Sequence, residues 1–140
     1  MPRFEQADDR RREAAVAKEF SRWLDLSATC EREPEFSELD WRIGDHFAEI
    51  KCRRWGMGTT KYPSLMIDKS KVEAAAQKSN AVYIIIGLFD GIWHSTLHPV
   101  PSGTEYRISG RRSRGPEGRK ECAFIPLHHF RKVSDMVVRW

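Results

Sequence analysis

The chain has 140 residues, 40% of them apolar, which excludes wholesale disorder and allows one domain that buries roughly two-thirds of its unfolded surface. Its longest apolar run, residues 81–89, is half a membrane span, and no apolar stretch follows the basic N-terminus, so neither a membrane helix nor a secretory signal is expected. Lys and Arg outnumber Asp and Glu by 24 to 20, and the three cysteines include no CxxC pair, which predicts reduced thiols and a cytoplasmic location.

Residues 8–26 read as a helix. Val16, Ala17, Phe20, Trp23 and Leu24 recur at spacings of three and four, without Gly or Pro. Pro34 punctuates the next stretch, and two strands are expected over 36–43 and 46–53, joined by Gly44-Asp45. A glycine-rich loop (Trp55, Gly56, Met57, Gly58) then leads past Tyr62 and Pro63 to a second helix over about 69–79, which Asp68 or Ser70 can cap. Residues 81–89, with Val82, Ile84, Ile85 and Ile86, read as a strand buried on both faces. Asp90-Gly91 signals a hairpin into 92–100, and a last strand is expected over 121–126. Between them, residues 107–120 carry Arg107, Arg111, Arg112, Arg114, Arg119 and Lys120 against the single acid Glu117. Interleaved with glycines, this stretch reads as a mobile basic loop within a single domain spanning 1–140.

The chemistry concentrates in residues 39–51. If Gly44-Asp45 is a two-residue turn, Ile43 faces His46 and Asp40 falls directly opposite Glu49, with Cβ atoms roughly 5 Å apart. Period-2 alternation adds Arg42 and Lys51 to the same face and sends Leu39, Trp41, Ile43, Ala48, Ile50 and Cys52 to a core face. Opposed carboxylates repel unless a hard cation such as Mg²⁺ lies between them, and a neighbouring lysine can then orient or deprotonate a water. The alternative is a solvated lattice of ion pairs on an exposed sheet. Glu13 adds weight to the first reading: it shares the apolar stripe of Ala17, Phe20 and Leu24, where a carboxylate needs a partner that a metal cluster beneath the helix would supply, the alternative being a helix-end acid paired with a nearby arginine.

A helix with an inward Glu, a strand Asp, a hairpin return bearing Glu-Ile-Lys, then a helix and a buried strand resembles the PD-(D/E)XK nuclease superfamily. Within it, the chain is similar to small phage- or prophage-type endonucleases related to restriction enzymes and Holliday-junction resolvases. The resemblance runs from Glu13 to Phe89, with Leu39 standing where the motif has proline and with the strand before Asp40 curtailed or missing. It implies an α/β (α+β) restriction-endonuclease-like core, a mixed central sheet flanked by helices in αββαβ order, with C-terminal strands added. It also implies catalysis by Lys51, Asp40, Glu49 and Glu13. Asp40, Glu49 and the Ile50 carbonyl would bind Mg²⁺, for which Mn²⁺ can substitute, Lys51 would handle the attacking water, and Glu13 would support the metal through water. Tyr62, Lys69 and Lys71 resemble positions that face substrate.

The expected function is therefore metal-dependent hydrolysis of phosphodiester bonds in duplex or branched DNA, with Trp93, Trp140 or Met136, Val137 and Val138 as candidates for a homodimer contact. Arg53, Arg54, Lys61, Arg111, Arg112 and Arg114 are the remaining candidates for phosphate contacts. A non-catalytic nucleic-acid-binding module on the same scaffold, and an interaction protein whose sheet face is only an ion-pair surface, are the alternatives. His94 and His98, about 13 Å apart along a strand, cannot share a metal, and His128-His129 shows no zinc spacing.

Overall fold

A computed structural model describes residues 7–24, 29–34, 38–110 and 119–140. The first helix, α1 (Ala7–Leu24), opens on Asp8 and Asp9, acids that favour the positive end of the helix dipole. Its Val16, Ala17 and Phe20 are fully buried. The strands are β1 (Cys30–Arg32), β2 (Trp41–Ile43), β3 (His46–Cys52), β4 (Ser64–Asp68), β5 (Val82–Leu88), β6 (Gly91–His98), β7 (Glu105–Gly110), β8 (Arg119–Pro126) and β9 (Arg131–Ser134). A second helix, α2 (Lys69–Ala76), follows β4 directly. Neither helix is long and apolar enough to cross a membrane.

Six strands form a mixed sheet in the order β1-β2-β3-β5-β6-β9, in which β3 and β5 are parallel and the other neighbours antiparallel. The remaining three make an antiparallel sheet, β4-β8-β7. The β2–β3 register is the one the turn dictates: Ile43 pairs with His46 and Trp41 with Ala48. Gly44 takes φ +60, a conformation that side chains disfavour, so glycine is the residue suited to this reversal.

The central sheet is covered on both faces. On one, Val16, Ala17 and Phe20 of α1 pack on Trp41, Ile43, Ala48, Ile50, Ile85 and Ile92. On the other, Val72 and Ala75 of α2 join Ile84 and Ile86, together with Leu65, Ile67, Ala123 and Ile125 of the smaller sheet. Strand β5 thus feeds both cores, which is why its sequence is continuously apolar rather than alternating. Gly87 interrupts that run for a packing reason. A Cβ there would lie 2.6 Å from Val138 Cγ2 and 2.7 Å from Val16 Cγ2, closer than carbon atoms pack.

The strand before the Asp40 strand is curtailed rather than missing: β1, only three residues long, pairs with β2. Other expectations need correction. Leu39 belongs to the α2-side core rather than the α1 side, because β2 pairing starts only at Trp41 and alternation does not hold before it. Strands β4, β7 and β9 lie where no strand was expected. Asp68 stands at the N-cap of α2 without a side-chain cap hydrogen bond and instead meets Lys120 Nζ at 3.6 Å. The basic stretch expected to be loop from Arg107 to Lys120 begins and ends in strand, Gly110 pairing with Arg119. Its residues 111–118, with Arg111, Arg112 and Arg114, lie outside the described residues. Trp93 and Val138 are core residues, 9% and 5% exposed, and so do not offer a surface for a second subunit.

Candidate active site

The β2–β3 ladder ends at Trp41–Ala48, while β3 runs on to Cys52 along β5. Asp40 and Glu49 sit where the two strands part. The Asp40 N–H donates to Glu49 Oε1 at 3.1 Å, which holds the glutamate against the strand that carries the aspartate. Alternation along β3 buries Ala48 and Ile50 against α1 and turns Glu49 and Lys51 to the α2 side. The two acids and the lysine thus come together, Glu49 and Lys51 by alternation along β3 and Asp40 through its N–H just beyond the β2–β3 ladder.

Glu49 is completely buried, a costly place for a charge. Its Oε2 accepts no hydrogen bond, and the nearest cation, Lys51 Nζ, lies at 3.2 Å. Burial pushes the Glu49 carboxyl up from its ordinary value, Lys51 pulls it down, and the charge of Asp40 pushes it up again. A third group joins from α2. Lys71 Nζ stands 3.5 Å from Asp40 Oδ1 and 3.6 Å from Glu49 Oε1, and it also donates to the Glu38 carbonyl. Burial alone would lower the Lys71 ammonium, but Glu49, Asp40 and Glu38 together raise it.

This is a cluster of two carboxylates and two ammonium groups, and the sequence reading had Lys71 only as a substrate-facing residue. The signal that could have placed it was helical: Lys71 is in the first turn of α2, one residue before Val72, which packs on the α2-side core over β5. A buried carboxylate oxygen without a hydrogen bond, next to a second carboxylate, suits a hard divalent cation completed by waters. Among the described residues, no group of three or more His, Cys, Asp or Glu side chains gathers at one point, and the carboxylates found together here are those of Asp40 and Glu49.

Glu13 pairs with an arginine, the alternative to a metal cluster. Its Oε1 accepts from Trp41 Nε1 at 3.0 Å and from Arg32 Nη1 at 3.2 Å. Trp41 packs in the α1-side core, across the sheet from Glu49 and Lys51, so the partner that burial demands comes from an indole and a guanidinium.

The candidate phosphate contacts scatter. Arg53 is largely buried, donates to the Cys52 carbonyl at 3.2 Å, and has its guanidinium lowered by burial, so it is not the surface cation the charge run suggested. Arg54 lies over the Trp140 ring at 4.8 Å, with Arg12 over the same ring at 4.2 Å. Lys69 pairs with Glu121 at 3.1 Å and approaches the Tyr106 ring. Lys61 and Tyr62 are exposed, and the Tyr62 ring leans on Trp55 at 5.9 Å between centroids. The glycine-rich segment beside them is held rather than free: Met57 N–H and Gly58 N–H donate to the two Asp90 carboxylate oxygens at 2.9 and 3.0 Å.

No curated protein matches the chain. A family model does, over residues 1–133, and it describes a phage putative PDDEXK endonuclease. Asp40 and Glu49-Ile50-Lys51 resemble the signature that names such enzymes, and the side chains of Asp40, Glu49 and Lys51 lie close together where β2 and β3 part. With nearly the whole length matched and a mixed sheet flanked by helices beneath that signature, the chain belongs to this phage endonuclease family of PD-(D/E)XK type.

Proposed function

We propose that the protein is a Mg²⁺-dependent endonuclease that hydrolyses phosphodiester bonds in DNA, acting in the cytoplasm of a bacterial host. The observation that carries this reading is the buried Glu49 carboxylate, tied to Asp40 through its backbone N–H and left with an oxygen that accepts no hydrogen bond. Asp40 and Glu49 would hold the ion, with the Ile50 carbonyl as a further ligand on the length of β3 that β2 leaves unpaired. Bound there, a divalent cation acts as a Lewis acid on a phosphate oxygen and lowers the pKa of a water. Lys51 approaches from the side of Glu49 Oε2, positioned to orient that water or to neutralise charge growing on the phosphate. Glu13, held by Arg32 and Trp41, contributes to the frame that keeps β2 in place. Exposed Lys61 and Tyr62, with the arginines of 111–114, are the proposed contacts to the DNA backbone.

Cleavage of plasmid and four-way-junction DNA with Mg²⁺ or Mn²⁺ tests the proposal, with Asp40→Asn and Lys51→Ala as controls. Cutting by the native chain that both variants lose is the expected result. Activity that survives in both variants removes the assigned site.

The Lys71 bridge favours a second reading, a nucleic-acid-binding module in which lysines satisfy the acids permanently. It predicts salt-sensitive DNA binding, no cleavage with any divalent ion, and indifference to Asp40→Asn.

A further inference from the structure

Lys71 occupies a position that a metal would contest. It reaches the site from a different element, α2, and its ammonium lies almost equally far from one oxygen of Asp40 and one of Glu49. Both separations exceed the 2.7–2.9 Å of a tight charge-assisted hydrogen bond, so the ammonium balances the acids without being locked to either. It also donates to the Glu38 carbonyl just before the Asp40 strand. Meanwhile Glu49 Oε2 is left without a hydrogen bond. One ammonium shared among a carbonyl and two carboxylates thus neutralises a pair of acids whose oxygens it does not saturate.

We propose that Lys71 is a built-in counter-ion of the Asp40–Glu49 pair, which holds the metal-free site together and must swing away before a divalent cation can enter. The inference rests on the metal-site reading above and adds to it a gate made of this chain's own side chain. Two cations compete for the same two carboxylates, so the ammonium lowers the affinity for the ion, and the ion in turn displaces the ammonium. The released group stays tethered to α2 beside the site, where a phosphate oxygen is its natural next partner. Lys71 is distinguished from Lys51 by bridging both acids, whereas Lys51 approaches the other oxygen of Glu49.

The test is Mn²⁺ titration by calorimetry, without DNA, of the native chain and of Lys71→Met, Lys71→Arg and Asp40→Asn. Lys71→Met is expected to bind Mn²⁺ about tenfold more tightly than the native chain, a usual size for coupling between competing ligands. Lys71→Arg should stay near native affinity, because the positive charge remains, and Asp40→Asn should lose saturable binding. A melting measurement covers loss of fold: Lys71→Met should melt lower than the native chain without metal, and Mn²⁺ should raise its midpoint by more. Equal Mn²⁺ affinity in the native chain and Lys71→Met, with binding still lost in Asp40→Asn, overturns the counter-ion role and leaves the metal site standing. Saturable binding in none of the four overturns the metal site and the gate together.

Discussion

Two glutamates, one half-buried and one fully buried, lie on opposite faces of one sheet, and they differ in how their charges are met. Glu13, on the α1 side, accepts from an indole N–H and a guanidinium, both through Oε1. Glu49, on the α2 side, accepts the Asp40 N–H through one oxygen, has the other without a hydrogen bond, and meets its charge in the ammonium groups of Lys51 and Lys71. Rigid donors fix a carboxylate as part of the frame. Lysines at 3.2 to 3.6 Å leave one available for exchange. On the proposed site, the difference would separate a structural acid from a chemical one more clearly than burial does.

The largest effect should follow from Glu49→Gln, which keeps shape and removes the charge. Initial rates of plasmid cleavage are expected to fall at least about a thousandfold, the scale seen when a preorganised charged group is lost from a reacting centre. Circular dichroism should still show a folded chain. A Glu49→Gln protein that cuts normally would erase the contrast between the two acids.

How far the sequence foretold this contrast depends on what each feature needs. The Asp40–Glu49 pairing needs only a two-residue reversal and alternation, both local, so it was readable. The double burial of β5 was readable for the same reason. The partners of Glu13 were not, because Arg32 sits on a three-residue strand too short to leave a pattern, and Trp41 looked like ordinary core. Lys71 enters the cluster only once α2 docks beside β3, a long-range event that no spacing encodes. Arg53 illustrates the opposite error: adjacent to Arg54 it reads as surface charge, yet the strand end draws it inward. Strands β7 and β9 escaped because their stability comes from neighbours distant in the chain, with β9 pairing β6 and β7 pairing β8.

If the α1 face is a packed structural surface, crowding it should damage stability and spare chemistry. Gly87→Ala places a methyl group against Val138 and Val16, an overpacking expected to cost about 2 kcal/mol in urea unfolding. Cleavage per folded molecule should remain near native. Loss of cleavage in fully folded Gly87→Ala would mean that the two faces are coupled.

Glu13→Gln sharpens the comparison directly. The amide retains an oxygen for Trp41 Nε1 but loses the charge opposite Arg32, whose side chain is 25% exposed. Stability should drop by about 1 kcal/mol, since water offsets part of the loss. Cleavage rates should change less than threefold. A loss on the scale of Glu49→Gln would return Glu13 to the catalytic group.

The mildest probe is Cys52, on β3 beside Glu49's own strand neighbours but packed toward α1. Burial first, and then the charge of Glu13, push its thiol from 9.0 up to about 12. A thiol raised in the folded state favours folding fully below its ordinary value, and that advantage fades as pH climbs from about 9 toward 12. At pH 8 its thiolate should be roughly a thousandfold scarcer than that of an ordinary cysteine, so iodoacetamide should leave it unmodified in the native chain and label it in urea. Peptide mapping by mass spectrometry reads the result. Rapid native labelling at pH 8 would show that the α1 face opens, and a face that opens cannot be the rigid frame against which Glu49 was contrasted.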